Sequence, residues 1–199
     1  MNILNSGNFL RTLGDACFVV VALVLGAAGA SAQTPVPTSA SVTVATVASI
    51  DVPRYMGTWY EVAKFPNRFQ KKCARNTQAT YSLQADGAVR VANRCTMSDG
   101  VMNEAIGAAR QIGPPTSPKL EVRFAPAWLS FLPWVWGNYW VIDLDANYQW
   151  VAVSEPGREF LWILSRTPQM EPAAYQALVL RLAEKGFDIG KLEASSHGN

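Results

Sequence analysis

Residues 57–63 read Gly-Thr-Trp-Tyr-Glu-Val-Ala, and residues 161–168 read Leu-Trp-Ile-Leu-Ser-Arg-Thr-Pro. Both runs have the apolar and aromatic character of buried β-strands, and the first follows a helix-like turn at residues 52–56. Trp59 lies near the start of the first run, and Arg166 follows the last apolar residues of the second. An indole and a guanidinium brought together in this way stack with about 0.5 to 2 kcal/mol. The pair therefore predicts that the strands between these two residues close into one β-barrel.

Strand patterning continues through the whole interval. Asp86-Gly87, between two short alternating runs, is a strong signal for a two-residue hairpin. Residues 119–124 alternate strictly between charged and apolar side chains, which is typical of a strand with one face in a core. The pattern predicts eight strands, at residues 56–65, 77–83, 89–93, 102–111, 119–124, 139–144, 147–154 and 159–165.

Eight short antiparallel strands favour an all-β fold, an eight-stranded up-and-down barrel, because closure removes the exposed sheet edges. A β-sandwich is the alternative. Residues 171–186 then carry Tyr175, Leu178, Val179 and Leu182 at helical spacing. With Pro172 in the first turn and Gly186 past the end, they predict a C-terminal α-helix packed on the outside of the barrel.

The remaining segments divide the chain into regions. Residues 1–32 have a basic residue, an apolar run and an Ala30-Ser31-Ala32 cleavage signal, which predicts a signal peptide. Residues 33–50, rich in Thr, Ser, Ala, Val and Pro, predict a flexible linker. The barrel domain with its helix is expected at 51–192, and a disordered tail at 193–199. We therefore expect export to the periplasm, either free or associated with the outer membrane.

Charge and residue inventory narrow the function classes. The net charge of the 199-residue chain is +2, and no cluster of Lys and Arg is interleaved with stacking aromatics, which argues against nucleic-acid binding. The single histidine, His197, lies in the predicted tail. No Ser-His-Asp arrangement, metal-ligand cluster or phosphate loop can be recognised. We expect no enzyme, no metal and no cofactor.

Cys73 and Cys95 remain once the signal peptide is removed. An even number of cysteines in an exported chain favours a disulfide. In a regular hairpin Cys95 lies opposite Gln78, too far from Cys73 for a bridge, so residues 71–75 must fold back. Two free thiols are the alternative, and a free thiol near the mouth could then act as a nucleophile.

The motifs together resemble the lipocalin family, in particular its bacterial branch related to apolipoprotein D. Residues 57–61 resemble the first family signature, residues 142–145 with Tyr148 a variant of the second, and Arg166-Thr167-Pro168 the third. The second signature departs from the usual Thr-Asp-Tyr by reading Leu-Asp-Ala at 144–146. The resemblance implies that Gly57, Trp59, Asp145 and Arg166 are structural residues that lie together at the closed end of the barrel.

The resemblance also implies a ligand site inside the barrel. Strand parity then assigns the inward, ligand-lining side chains. They are Ala79, Tyr81, Leu83, Val89, Val91, Asn93, Leu120, Val122, Phe124, Tyr139, Val141, Val151, Val153, Phe160, Trp162 and Leu164. This apolar sleeve with few polar groups suits a fatty acid, a lysophospholipid or a similar lipid. The alternative is that these side chains simply fill a small core. Glu61, also inward, is expected to contact ligand or to pair with Arg166.

The loop from Ala125 to Asn138 contains a cluster of large apolar side chains, which by family topology lies at the barrel mouth. Its aromatic members are Trp128, Phe131, Trp134 and Trp136. Exposed aromatics of this kind mark a membrane or partner surface, and tryptophan favours the bilayer interface. We expect transient membrane contact during lipid transfer, with a loop that packs on itself as the alternative.

The sequence thus predicts an exported carrier of a small lipid that serves storage, transport or repair in the cell envelope. A lipocalin-fold enzyme and a tetrapyrrole-binding protein are the alternatives. The oligomeric state, monomer or dimer, is left open.

Overall fold

The computed structural model describes residues 43–198. The predicted signal peptide at 1–32 and residues 33–42 lie outside the described residues. The strands are β1 (Gly57–Lys64), β2 (Cys73–Leu83), β3 (Val89–Met97), β4 (Met102–Gln111), β5 (Lys119–Arg123), β6 (Gly137–Leu144), β7 (Trp150–Ser154), β8 (Leu161–Ser165) and β9 (Glu193–Ala194). The helices are α1 (Val52–Tyr55) and α2 (Pro172–Glu184), with 3-10 turns at Ala127–Leu129, Pro133–Val135 and Ile189–Lys191.

The first eight strands form a closed antiparallel barrel. Each strand from β2 to β7 pairs with the next in the chain, and β1 closes the barrel by pairing with both β2 and β8. The predicted eight-stranded up-and-down barrel with an outer C-terminal helix is therefore confirmed. β7 begins at Trp150 rather than at residue 147 because residues 145–149 form a turn in which Tyr148 adopts a left-handed φ of 59°.

Helix α2 covers one side of the barrel. Its side chains Leu178 and Leu182 are fully buried against the outward faces of Ile142, Leu161 and Ile163. Asp143 on β6 accepts hydrogen bonds from Arg181 at 3.0 and 3.4 Å, which fixes the helix by charge as well as by packing. Among residues 43–198, no helix has both the length and the apolar character needed to cross a bilayer.

Residues 43–50, part of the segment 33–50 that the sequence predicted as a flexible linker, pack against the barrel in this structure. Val44 packs in the cluster beneath α2, and Ile50 packs inside the barrel, at 3% and 2% exposure. The backbone N–H of Val47 donates to the carbonyl of Val141 at 3.0 Å, and that of Ile50 to Thr116 at 2.9 Å. Apolar valine and isoleucine side chains find buried sites here, and these offset the entropy of ordering the segment.

The C-terminal residues 193–198, which the sequence predicted as a disordered tail, also contact the barrel in this structure. The pairing of β1 with β2 stops after Tyr60, which frees one edge of β1. β9 pairs with that edge at Ala63 and Lys64. The N–H of Asn76 on β2 donates to the carbonyl of Ser196 at 2.8 Å. The tail thus fills the gap between the diverging halves of β1 and β2, and satisfies backbone groups that an open seam would leave unpaired.

We predict that Leu178→Ala lowers the free energy of unfolding by about 2 to 5 kcal/mol, because it opens a cavity between α2 and the barrel. Leu180→Ala is the matched control: Leu180 lies on the same helix but is 64% exposed. Urea unfolding followed by circular dichroism measures both. Equal effects of the two substitutions would contradict the packing described.

Candidate ligand-binding barrel

The closed end of the barrel is built around Trp59 and Arg166. Trp59 is completely buried, and the guanidinium carbon of Arg166 lies 3.8 Å from the centre of its rings. The indole Nε1 donates to the carbonyl of Tyr55 at 2.8 Å, which ties the floor to α1. Arg166 donates to the carbonyls of Arg54, Thr58 and Tyr148, at 2.7, 3.1 and 3.2 Å. Glu61 is not its partner, so that expectation was wrong.

Gly57 and Asp145 also serve this end. Gly57 has a φ of 95°, and a Cβ at this position would lie 3.2 Å from Arg166 Nη1, so a larger residue would be strained and crowded. The Asp145 carboxylate accepts from the backbone N–H groups of Asn147 and Gln149, at 3.0 and 3.1 Å. It holds the turn between β6 and β7 that presents the Tyr148 carbonyl to Arg166.

Most of the side chains assigned to the interior do meet there. Nine are buried in one continuous cluster with Trp59 and Tyr55: Ala79, Tyr81, Val89, Val91, Leu120, Val141, Val151, Val153 and Leu164. Val122, Tyr139 and Trp162 are partly buried and pack against this cluster. Strand parity therefore gave the correct face for these residues.

Four other residues that were assigned to the barrel lining are not part of this buried cluster. Leu83, assigned to the lining, is 49% exposed, because it lies at the end of β2 beside the hairpin and beyond the packed interior. Phe124 is 43% exposed just past β5, where its ring lies over Gly107 of β4. Phe160 precedes β8 and stacks on Trp162 at 5.8 Å between ring centres. Asn93 is only half-buried.

The interior is packed rather than hollow. A cavity of about 10 Å³ lies within the barrel, enough for one water-sized group. Its lining comprises Ile50, Val52, Tyr55, Met56, Tyr81, Val89, Ala109, Leu120, Val122 and Tyr139. Four of these, Ile50 to Met56, come from the N-terminal segment and α1, which sequence reasoning did not place in the interior. The expected open sleeve is therefore wrong for this conformation.

Three tyrosine hydroxyls meet beside this cavity. The Tyr139 hydroxyl lies 2.7 Å from that of Tyr55 and 3.0 Å from that of Tyr81. Burial raises the pKa of all three hydroxyls well above the ordinary value of 10.0, and the neighbouring tyrosines add to the shift by disfavouring a second negative charge. The trio is therefore neutral and acts as a hydrogen-bonding group at physiological pH.

The other end of the barrel carries a second polar group. The Glu61 carboxylate faces inward and accepts hydrogen bonds from Gln70 and from Ser195, the latter at 2.6 Å. Gln70 in turn accepts from the indole Nε1 of Trp162 at 3.0 Å. On the β5 side, β4 is paired only at residues 108–111, so its residues 102–107 have no β5 partner. Ala105, on the inward face of β4, is consequently exposed, which marks the open end.

His197 and Ser195 come close to Glu61, although the sequence placed them in a disordered tail. The Ser195 hydroxyl binds the Glu61 carboxylate, whereas His197 Nε2 contacts the backbone oxygen of Glu61 at 2.7 Å. No imidazole–hydroxyl bond is formed, so the serine lacks the base that nucleophilic catalysis requires. Among residues 43–198, no three His, Cys, Asp or Glu side chains are grouped to hold a metal ion.

Cys73 and Cys95 form a disulfide, with a Cα separation of 5.5 Å. The register between β2 and β3 shifts twice, between Cys73 and Arg75 and between Arg75 and Gln78. Because β2 takes up two extra residues in these bulges, Cys73 lies opposite Met97 rather than beyond it. The favoured reading of the cysteines is confirmed, and the free-thiol alternative is wrong.

The aromatic loop between β5 and β6 divides into two groups. Trp128, Phe131 and Trp134 are 73%, 73% and 77% exposed. Trp136 instead folds back: its Nε1 donates to the Ser130 carbonyl at 2.8 Å, and its rings lie beneath the guanidinium of Arg110 at 4.1 Å. We call the first three residues the aromatic lip. Trp136 anchors the loop from which they project.

A larger space lies outside the barrel. A groove of about 590 Å³ runs between the outward face of β1 and β2 and the C-terminal residues. Tyr60, Gln78, Gln169 and His197 are among its lining residues. Since Tyr60 and Gln78 alternate with the inward Trp59 and Ala79, this groove is separate from the interior.

A closed barrel with a buried tryptophan–arginine floor and an apolar interior defines a lipocalin-type ligand-binding protein. The family model for a lipocalin-like domain matches residues 50–197. The chain belongs to the lipocalin family, as its sequence motifs indicated.

Three relatives illustrate the range of similarity. The chain is 45% identical to temperature-induced lipocalin-1 of Arabidopsis thaliana, over 73% of this chain and 78% of that protein. It is 40% identical to the outer membrane lipoprotein Blc of Escherichia coli K12, over 74% and 80%. It is 32% identical to apolipoprotein D of Mus musculus, over 76% and 79%. The resemblance to bacterial lipocalins and apolipoprotein D is confirmed.

We predict that the protein loses stability above about pH 10, the range in which unfolded tyrosines ionise. The native pKa values of Tyr55, Tyr81 and Tyr139 are raised, so their contribution is complete below the unfolded pKa and is lost as pH rises through the native values. Urea unfolding across this range, with tyrosinate absorbance recorded in parallel, checks the sign. Reversible ionisation of all six tyrosines with the fold intact would contradict it.

Proposed function

We propose that the protein binds a small hydrophobic or amphiphilic lipid inside the barrel and carries it within the cell envelope. The observation that carries this proposal is the buried apolar cluster that lines the barrel between a sealed floor and an open end. Burial of lipid surface in such an environment contributes about 25 cal/mol per Å². Fatty acids and lysophospholipids are the classes of ligand considered first.

Uptake of a lipid requires the interior to expand, since the cavity in this structure is about 10 Å³. Met56 lines the cavity and has an unbranched side chain that changes rotamer readily. Phe124 lies at the open end with 43% of its surface exposed, so its displacement removes little packing. Movement of these two side chains, one beside the cavity and one at the open end, would make room for an acyl chain.

The envelope assignment is supported by the relatives and by the disulfide. The Escherichia coli relative is described as an outer membrane lipoprotein, and the mouse relative as an apolipoprotein. The Cys73–Cys95 bridge suits an oxidising compartment such as the periplasm. We infer an exported protein of the periplasm, in contact with the outer membrane during storage, transport or repair of envelope lipid.

The enzyme and tetrapyrrole alternatives are less well supported. Cys73 and Cys95 are bonded to each other, so neither offers the thiol nucleophile that a catalytic reading needed. His197 is the single histidine of the chain, and it lines the outer groove rather than the barrel interior. It therefore cannot ligate a haem iron placed within the barrel.

We predict that Ala109→Met weakens binding of a fluorescent fatty acid about tenfold or more, because the added side chain fills the space the lipid needs. Ala109 lines the cavity and is 3% exposed. Ala108→Met, one residue away on the outward face, is the matched control and should bind as the parent does. Fluorescence titration gives the dissociation constants. Equal weakening by both variants, or by neither, would contradict an interior site.

The aromatic lip supports a membrane-docking role in this proposal. Its three exposed side chains project from one loop beside the open end. Arg110 and Arg123 lie under the same loop and hold Trp136, while Arg110 is paired with Glu121 and Arg123 is buried. The exposed aromatic rings are therefore the groups that would insert at the bilayer interface. A lipid could then pass between bilayer and barrel without crossing water.

We predict that replacing Trp128, Phe131 and Trp134 together by Ser reduces the vesicle-bound fraction about tenfold or more, since most of the inserted apolar surface is removed. Co-sedimentation with vesicles of phosphatidylethanolamine and phosphatidylglycerol measures the bound fraction. Leu180→Ser, an exposed apolar position on α2, should leave it unchanged. Undiminished binding of the triple variant would show that the lip is not the docking surface.

A further inference from the structure

The tyrosine trio is unusual because its members come from three separate elements of the fold. Tyr55 belongs to α1, Tyr81 to β2 and Tyr139 to β6, with sequence separations of 84 and 58 residues. Tyr55 and Tyr81 are 3% and 6% exposed. Their rings also pack on one another, at 5.7 Å between centres. The fold thus brings three hydroxyls to one point within an otherwise apolar core.

A count of protons shows that the trio is incompletely satisfied. Three hydroxyls carry three protons, and the two bonds through Tyr139 use two of them. Within residues 43–198 no hydrogen bond joins these hydroxyls to any other side chain or to the backbone. In every arrangement of the two bonds, one hydroxyl of the trio, either an end member or Tyr139 itself, keeps a proton to donate, and lone pairs remain on the end hydroxyls. The trio therefore offers a neutral ligand both an unused donor and a free acceptor.

The cavity lies where that last hydrogen bond is needed. All three tyrosines line it, and its volume of about 10 Å³ is the size of one oxygen-bearing group. The remainder of the lining is aliphatic, for example Val89, Ala109 and Leu120. No Lys, Arg, Asp or Glu is among the lining residues. A carboxylate or phosphate would lose its hydration here and find no counter-ion in the lining, whereas an uncharged oxygen would lose little. The cation that acts on Tyr55 from outside the lining, Arg166, is already stacked on Trp59 and bonded to three backbone carbonyls.

We propose that the trio is the polar anchor of the barrel, and that it binds the uncharged hydroxyl or carbonyl oxygen of a lipid whose apolar body extends toward the mouth. This inference rests on the proposed function and narrows it. The ligand class becomes neutral, oxygen-tipped lipids, such as long-chain alcohols, ketones and glycerides, in preference to free fatty acids entering carboxylate first. The tyrosines supply a donor and an acceptor, so both hydroxyl and carbonyl groups fit.

The test compares dodecanol, dodecanone, dodecanoate and dodecane, which share one chain length and differ only at the polar end. The parent protein should bind dodecanol and dodecanone about tenfold or more tightly than dodecanoate or dodecane in fluorescent-probe displacement, as expected for one well-placed hydrogen bond. Tyr139→Phe removes the bridging hydroxyl and should abolish most of this preference while dodecane binds as before. Tyr60→Phe, on the outward face of β1, should change nothing.

A spectroscopic readout separates an anchor from a packing role. The carbonyl stretch of bound, isotope-labelled dodecanone should lie at lower frequency in the parent than in Tyr139→Phe. If Tyr139→Phe fails to fold, Tyr81→Phe removes an end hydroxyl and must show the same loss. Dodecanoate bound as tightly as dodecanol, with neither variant altering the preference, would overturn the anchor and leave lipid binding intact. Failure of the parent to bind any of the four probes would overturn the proposed function itself.

Discussion

The stack of Arg166 on Trp59 is the contact from which the rest of the structure follows. One guanidinium, 3.8 Å from the indole, joins carbonyls of α1, β1 and the β6–β7 turn. Burial lowers the pKa of this guanidinium from its ordinary value, and Tyr55 partly opposes that shift. The charge is offset by three oxygen dipoles rather than by a carboxylate. The floor is thereby sealed without a carboxylate partner for Arg166.

A sealed floor gives the barrel a direction. At the closed end the interior is apolar except for the tyrosine trio, and at the open end it carries Glu61, Gln70 and the exposed inward face of β4. The C-terminal strand β9 completes the wall where β1 and β2 diverge. A lipid placed along this axis would meet neutral hydroxyls below and charged or amide groups above. The aromatic lip stands beside the same opening and links the site to a membrane surface.

The sequence predicted which side chains of a strand face inward better than it predicted how far along the barrel axis each one lies. Alternation along the strands identified Val151 and Leu164 as inward. It could not show that Leu83 lies beyond the packed core, because alternation gives the face of a residue and not its position along the barrel axis. Ile50 and Val44 lay in a segment without periodicity, and their burial depends on surfaces made by distant strands. The bulges near Cys73 and the tyrosine trio are likewise tertiary features. Cavity volume follows from how all these side chains interlock.

The central claim is that this packed interior yields to a lipid held between the tryptophan–arginine floor and the open end. A crystal structure of the protein with a bromine-labelled dodecyl lipid tests it most directly, because the anomalous signal of bromine locates the ligand. We predict a bromine site on the barrel axis, with the side chains of Met56 and Phe124 displaced. Bromine found only in the outer groove beside Tyr60 and His197, with the interior unchanged, would contradict the account.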